Sequence, residues 1–321
     1  MIITNMVLLW VLSLSIFMAF STNMWFSFWV SMEINMMVFI PLMNNKNFMS
    51  SNSMINYFII QSFTSSMFLF SSILFTITNF FFFKNIIIMS ILIKMASAPF
   101  HSWFPQISEG LKMNSFLLLA TIQKIIPLQM ISIFFSNKII IFIILSSIFG
   151  SLSGFNQTSI RKILAFSSIA HLAWILTLIL TCQSFWLMYF FIYSIILMKI
   201  TLFFNKNKIN MINNIHTMKM SNFMKFTLFS YMMSLAGLPP FLGFMMKWAS
   251  MILILKKTML ILLILIMSSL INMYFYMRIL FPMILNLNTS LKLSHMSSMK
   301  SNFFYVNLIS IFMLIISFKS L

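Results

Sequence analysis

Residues 139 to 145 read Ile139-Ile140-Ile141-Phe142-Ile143-Ile144-Leu145, an unbroken apolar run with no alternation of polarity. A strand of a membrane barrel turns successive residues to lipid and lumen, so this run excludes that architecture. It points instead to a helix, which satisfies its own backbone inside hydrocarbon. Similar runs recur along the chain, broken by Asn, Ser, Lys and Pro, over 2–22, 24–43, 55–80, 86–104, 114–135, 138–155, 163–181, 184–204, 225–254, 258–281 and 302–319. One crossing takes about 20 residues, so the sequence predicts an all-α integral membrane protein of about eleven transmembrane helices.

Composition agrees. Of 321 residues, 61% are hydrophobic and 7% charged, against about 25% charged in soluble domains. The net charge of +18 comes from 20 Lys and Arg set against two acids, Glu33 and Glu109. No dense basic block accompanies it, so the excess reflects missing acids rather than a surface for nucleic acid. There is no Asp, and the one thiol is Cys182 in an apolar stretch. Disulfides, iron–sulfur ligation and Cys-based zinc sites are thereby excluded within the chain, and no metal site is expected. The five glycines form no phosphate-binding loop. The first basic residue is Lys46, so the opening apolar run reads as a retained helix rather than a signal peptide.

Loop cations set the orientation. Ten (Lys46, Lys112, Arg161, Lys162, Lys206, Lys208, Lys219, Lys225, Lys292 and Lys300) share the side of the N-terminus, and five (Lys84, Lys138, Lys256, Lys257 and Lys319) lie opposite. The bias places the N-terminus on the inner, negative side and, after an odd number of crossings, the C-terminus outside.

Two spans carry proline in their interior. The fourth contains Lys94-Met95-Ala96-Ser97-Ala98-Pro99-Phe100-His101, followed by Trp103-Phe104-Pro105. The ninth contains Gly237-Leu238-Pro239-Pro240-Phe241-Leu242-Gly243. Pro99, Gly237, Pro239 and Pro240 are therefore expected to break their helices and free carbonyls at membrane depth, where protein or water must take them up. With 1–135 as a first five-helix repeat, 138–281 as a second and 302–321 as a C-terminal helix, the broken helix is fourth in each repeat. Five is odd, so the repeats are inverted, within a single polytopic membrane domain over 1–321.

Charges inside spans cost roughly 2.5–3.5 kcal/mol each even on lenient scales, so their default reading is functional. Glu33 lies mid-span, Lys94 just before the first break, Lys124 ten residues into the fifth span, and Lys247 seven past Pro240. Lys94 is the expected partner of Glu33. A desolvated lysine can load and release a proton where arginine cannot, which suits proton transfer; the competing reading is an ion pair that only fixes helix register. Lys199, five residues from a helix end, is read equally as a relay member or a snorkelling cation, and Arg278 as snorkelling. His171, in Ser167-Ser168-Ile169-Ala170-His171, is either a bridge between lysines through water or a ring hydrogen-bonded within the bundle. His101 is a gate at the inner mouth or an interfacial loop residue, and Glu109 a solvated charge. Gly150-Ser151-Leu152-Ser153-Gly154 is expected to admit a neighbouring backbone.

These motifs resemble a known family, the antiporter-like membrane subunits of respiratory complex I. The resemblance rests on Lys94 to Pro105 with Glu109-Gly110, on Gln123-Lys124 with Pro127, on Arg161-Lys162 through His171, and on Gly237 to Phe244 with Lys247-Trp248. It covers residues 33 to 248 in order. It implies a subunit of a proton-pumping NADH dehydrogenase in the mitochondrial inner membrane, with the N-terminus in the matrix and the C-terminus in the intermembrane space. Glu33 and Lys94 would be the coupling pair, and Lys124 and Lys247 further stations. It also implies that NADH, FMN, iron–sulfur clusters and ubiquinone bind other subunits. The partners would be those subunits, neighbouring antiporter-like subunits among them, and membrane lipid, with no nucleic acid. The alternatives are an autonomous cation/proton antiporter and a structural spacer without a pumping role.

Overall fold

A computed structural model describes residues 2–45, 47–134, 138–181, 184–217, 222–239, 241–255 and 257–285. The expected helix at 302–319, together with Pro240 and Cys182, lies outside the described residues. The described residues are helical, with one isolated bridge between Ser159 and Met211. Six helical stretches among them, Met113–Ile133 taken as one, are long and apolar enough to cross a membrane. Contacts divide the chain between Ser146 and Ser147.

The first unit holds α1 (Ile2–Ser21), α2 (Trp25–Met43), α3 (Phe48–Thr78), α4 (Phe81–Lys94), α5 (Trp103–Gly110), α6 (Met113–Ala120) and α7 (Ile122–Ile133). The division falls inside α8 (Ile139–Gly154). α3 is built inside out. Its buried positions include Ser50, Ser53, Tyr57, Gln61, Thr64, Ser65, Ser71 and Ser72, while Ile55, Ile59, Phe63, Phe70 and Ile77 are exposed. The polar stripe recurs every three or four residues and so lies on one helical face. In lipid the driving force keeps polar groups, not apolar ones, against protein neighbours. That face meets α2, α4 and α5, and α7 packs on α1, α2 and α4. Gln129 on α7 donates to the Ala19 carbonyl near the end of α1 at 2.9 Å.

The second unit continues with α9 (Ile160–Thr181), α10 (Phe185–Lys206), α11 (Asn213–Thr217), α12 (Asn222–Ala236), α13 (Leu242–Leu255) and α14 (Met259–Leu285). α9 is its centre. Its 22 residues, about 33 Å of helix, are buried almost throughout and pack on α10, α13 and α14. Gly150 performs the close approach expected of it, since an added Cβ would stand 2.7 Å from the Ala170 backbone nitrogen.

The break in the fourth span is present: α4 stops at Lys94 and α5 resumes at Trp103. The ninth span divides likewise into α12 and α13. Both breaks open with the same left-handed helix cap. Ala96 has φ +58° and Gly237 φ +78°. The next amide reaches back five residues in each, Ser97 to Leu92 O at 3.1 Å and Leu238 to Met233 O at 3.2 Å, which is the Schellman pattern. The fifth span, expected to be continuous, is interrupted as well. Thr121, with φ −117° and ψ −78°, separates α6 from α7. The apolar run conceals this interruption because it involves neither glycine nor proline. Arg278, expected to snorkel, donates from its guanidinium to the carbonyls of Phe155 and Gln157, just past the end of α8.

Candidate functional site

Glu33, Lys94 and Lys124 belong to the first unit, and His171, Lys199 and Lys247 to the second. Lys94, Lys124 and Lys247 are 7%, 3% and 4% exposed.

Lys94 closes a helix, Lys124 lies in the first turn of one, and Lys247 lies in the second turn of another. Lys94 is the last residue of α4, in the turn where the helix dipole favours a cation. Carbonyls freed at that end find donors: the Trp103 indole Nε1 donates to Ile93 O at 3.1 Å and Ser97 Oγ to Leu92 O at 3.0 Å. Glu33 lies within electrostatic reach of Lys94. The carboxylate also accepts a hydrogen bond from Ser65 of α3. Ser65 was not anticipated, although the polar stripe of α3 is its signal in the sequence.

Lys124 is the third residue of α7, one turn past Thr121, rather than mid-helix. Its amine lies 4.6 Å from the centroid of the Phe104 ring, a cation–π contact with the segment after the α4 break. Pro127 removes the amide that would take the Gln123 carbonyl in an unbroken helix. Beside Lys124, Gln123 accepts from Tyr57 OH at 3.0 Å and donates to Asn35 Oδ1 at 3.0 Å. This bridge ties α7 to α3 and to α2 two residues beyond Glu33.

Lys247 lies on α13 and reaches back across the break. Its Nζ donates to the Ala236 carbonyl, the last of α12, at 2.7 Å. The freed carbonyl foreseen for this break thus has its donor, and the donor is the lysine. His171, on α9, is 2% exposed. Its Nδ1 is 2.9 Å from Tyr189 OH, and its ring lies 4.8 Å from that of Tyr193. Lys199 is half-buried on α10, and Glu109 is exposed at the end of α5. His101 Nδ1 contacts the Pro99 carbonyl at 3.2 Å.

A set of buried amines, with a carboxylate in electrostatic reach of one and a helix-terminal carbonyl bound by another, is an arrangement whose groups are chemically able to hold a proton. Residues 22–272 match the transmembrane family described as NADH:quinone oxidoreductase/Mrp antiporter. The chain belongs to this family. Relatives extend the match: NADH-ubiquinone oxidoreductase chain 2 of Rhipicephalus sanguineus is 43% identical over 96% of this chain and 98% of its own. The protein of the same name from Anopheles gambiae is 42% identical over 86% and 85%. A chain in the structure of respiratory complex I from Thermus thermophilus with bound aureothin shares the fold. It has a TM-score of 0.79 at 18% identity, covering 87% of this chain and 70% of that one. Within the family so defined, Glu33, Lys94, Lys124 and Lys247 all fall inside the matched residues.

Proposed function

We infer that this chain acts as a proton-handling station of a proton-translocating NADH:quinone oxidoreductase. It is a membrane subunit of that complex: its relatives carry the enzyme's name over nearly their whole length. One observation carries the reading of the site. All three amines are buried inside spans, Lys94 at the C-terminal end of α4 in electrostatic reach of Glu33 and Lys247 on the carbonyl that ends α12, the ends where a helix dipole favours a cation. Retaining a fixed charge there is costly, whereas a group that takes up and releases a proton carries the charge only for part of the cycle.

Glu33 and Lys94 act as the coupling pair, with Lys124 as the next holder in the first unit and Lys247 as the holder in the second. His171 serves as a relay group, and Lys199 joins it. The broken helices at Pro99 and at Gly237 and Pro239 give Lys94 and Lys247 their polar surroundings. Redox chemistry takes place on partner subunits that bind NADH, FMN, iron–sulfur clusters and ubiquinone. The chain crosses the mitochondrial inner membrane about eleven times, with the N-terminus in the matrix and the C-terminus in the intermembrane space. The two left-handed caps, Ala96 and Gly237, support the reading of 1–135 and 138–281 as inverted repeats within one membrane domain.

The test is Lys94→Met in the assembled complex, with proton uptake compared with NADH oxidation in sealed vesicles. A station at Lys94 predicts fewer protons per NADH or a slowed coupled rate. Unchanged stoichiometry at full electron flux refutes it.

A further inference from the structure

In the second unit α8 and α14 both lean on α9: Gly150 of α8 meets the Ala170 backbone, and α14 packs on the same helix. The two converge at Gly154, where an added Cβ would stand 3.1 Å from the Phe275 ring. Before that point a groove of about 250 Å³ runs between them. Its walls include Ile148 and Leu152 of α8 and Leu263, Met267 and Ile271 of α14. All but Ile271 are exposed. Two serines also line the groove, yet they add no free donor. Ser151 donates to the Ser147 and Ile148 carbonyls, each at 2.9 Å, and Ser268 to Leu265 O at 2.8 Å. The groove therefore suits an apolar occupant.

A cation stands at the end of this groove. Met267, Ile271, Tyr274 and Arg278 recur every three or four residues and so share one face of α14. The Phe155 and Tyr274 rings stack with centroids 4.6 Å apart and planes 9° from parallel, and both are exposed. Just beyond them Arg278 donates to the Phe155 and Gln157 carbonyls, which engages two of its five N–H donors. Its depth follows from the sequence. Residues 258–277, between Lys257 and Arg278, are uncharged and amount to one crossing. Arg278 thus lies where hydrocarbon gives way to headgroups, with Tyr274 in a position that such interfaces favour. No protein counterion is at hand in this unit, because the sequence from 147 onward contains neither Asp nor Glu.

We propose that the α8–α14 groove binds an anionic phospholipid, with one acyl chain along Ile148, Leu152, Met267 and Ile271 and the phosphate on Arg278. A phospholipid carries in one molecule the two chemistries that the site presents, a hydrocarbon chain and an anion spaced from it. The guanidinium fork matches phosphate oxygens, and the stacked rings form a shelf between tail and headgroup. A helix of a neighbouring subunit, about 10 Å across, would seat only side chains in a groove of this volume. It would also leave Arg278 without a counterion unless it carried an acid at that one depth. The assignment needs only the membrane location of the chain and is independent of the proton-handling reading.

The experiment uses the assembled complex, reconstituted in phosphatidylcholine vesicles and labelled with phosphatidylglycerol that carries a photoactivatable group on one acyl chain. Peptides containing residues 148–155 and 263–278 should be labelled about fivefold more than by the same probe with a phosphatidylcholine headgroup, the worth of one cation at a membrane surface. Arg278→Gln keeps an amide donor for the carbonyls and should abolish that preference. Met267→Trp fills the groove from the lipid side and should lower labelling severalfold with either probe. Equal labelling by the two headgroups in the unmodified complex overturns the anionic assignment. Labelling of other surfaces with none at these peptides overturns the site altogether, as does a density map that shows a neighbouring subunit's helix seated there. If the variants fail to assemble, the comparison of the two probes on the unmodified complex still decides.

Discussion

The stem of Lys247 lies across Gly237: a Cβ added to that glycine would stand 2.6 Å from Lys247 Cδ and 3.0 Å from its Nζ. The glycine thus serves twice, through its left-handed φ of +78° and through the space it leaves for the amine on its way to the Ala236 carbonyl.

Gly237→Ala should therefore impair the complex through Lys247 as well as through the backbone. The left-handed conformation alone costs an alanine roughly 1–2 kcal/mol, and the displaced amine loses its carbonyl. We expect a fall of about tenfold or more in coupled NADH:quinone turnover, with assembly retained. Gly154→Ala is the comparison: its Cβ would meet the edge of the Phe275 ring at 3.1 Å and Phe166 Cβ at 3.4 Å, with no left-handed φ and no lysine in the way. Equal rates for the two variants would refute the special role of Gly237.

The all-helical membrane fold and the helix breaks after Lys94 and Ala236 were legible because the bilayer leaves few options: long apolar runs must be helices, and proline must free a carbonyl. The buried lysines were legible for the same energetic reason. The partners of those charges were not. Ser65 and Phe104 are ordinary residues whose significance depends on which face of one helix meets another. The Thr121 interruption has no breaker residue to announce it. Tyr57, Gln123 and Asn35 are 66 and 88 residues apart along the chain, so only the packed structure joins them.

Ser65 supports Glu33, and Ser66 beside it does not. The Ser65 hydroxyl is within hydrogen-bond reach of both the Glu33 carboxylate and, at 2.8 Å, the Ser62 carbonyl of its own helix, whereas Ser66 is exposed and bonds the Phe63 carbonyl of its own helix at 2.8 Å. A hydrogen bond to a charged group contributes about 1.5–3 kcal/mol. Ser65→Ala should therefore reduce coupled turnover by about tenfold or more, and Ser66→Ala should leave it unchanged. Proton uptake per NADH, measured for both in vesicles, checks this.

Ala96 occupies the position that Gly237 fills in the other unit, with φ +58° in a fully buried turn directly after Lys94. An L-residue is strained there and glycine is not. Ala96→Gly should raise the thermal stability of the assembled complex or leave it unchanged, and should preserve coupled activity. Ala96→Val puts a β-branched residue in a left-handed conformation and should be poorly tolerated. A destabilised glycine variant, seen as a lower melting temperature than wild type, would overturn this account of the cap.

Phe104 supplies the aromatic face against which the Lys124 amine rests at 4.6 Å. Its ring lies at a break, so it joins the segment after α4 to the start of α7. Desolvated cation–π contacts contribute roughly 2 kcal/mol. Phe104→Leu keeps an apolar side chain and removes the ring quadrupole, so the charged form of Lys124 loses part of its stabilisation while the packing changes little. We expect a several-fold fall in coupled turnover, smaller than for Lys124→Met, and recovery in Phe104→Tyr, which restores the ring face. If leucine and tyrosine at this position perform alike, the ring acts as packing and the cation–π contact carries no weight in proton transfer.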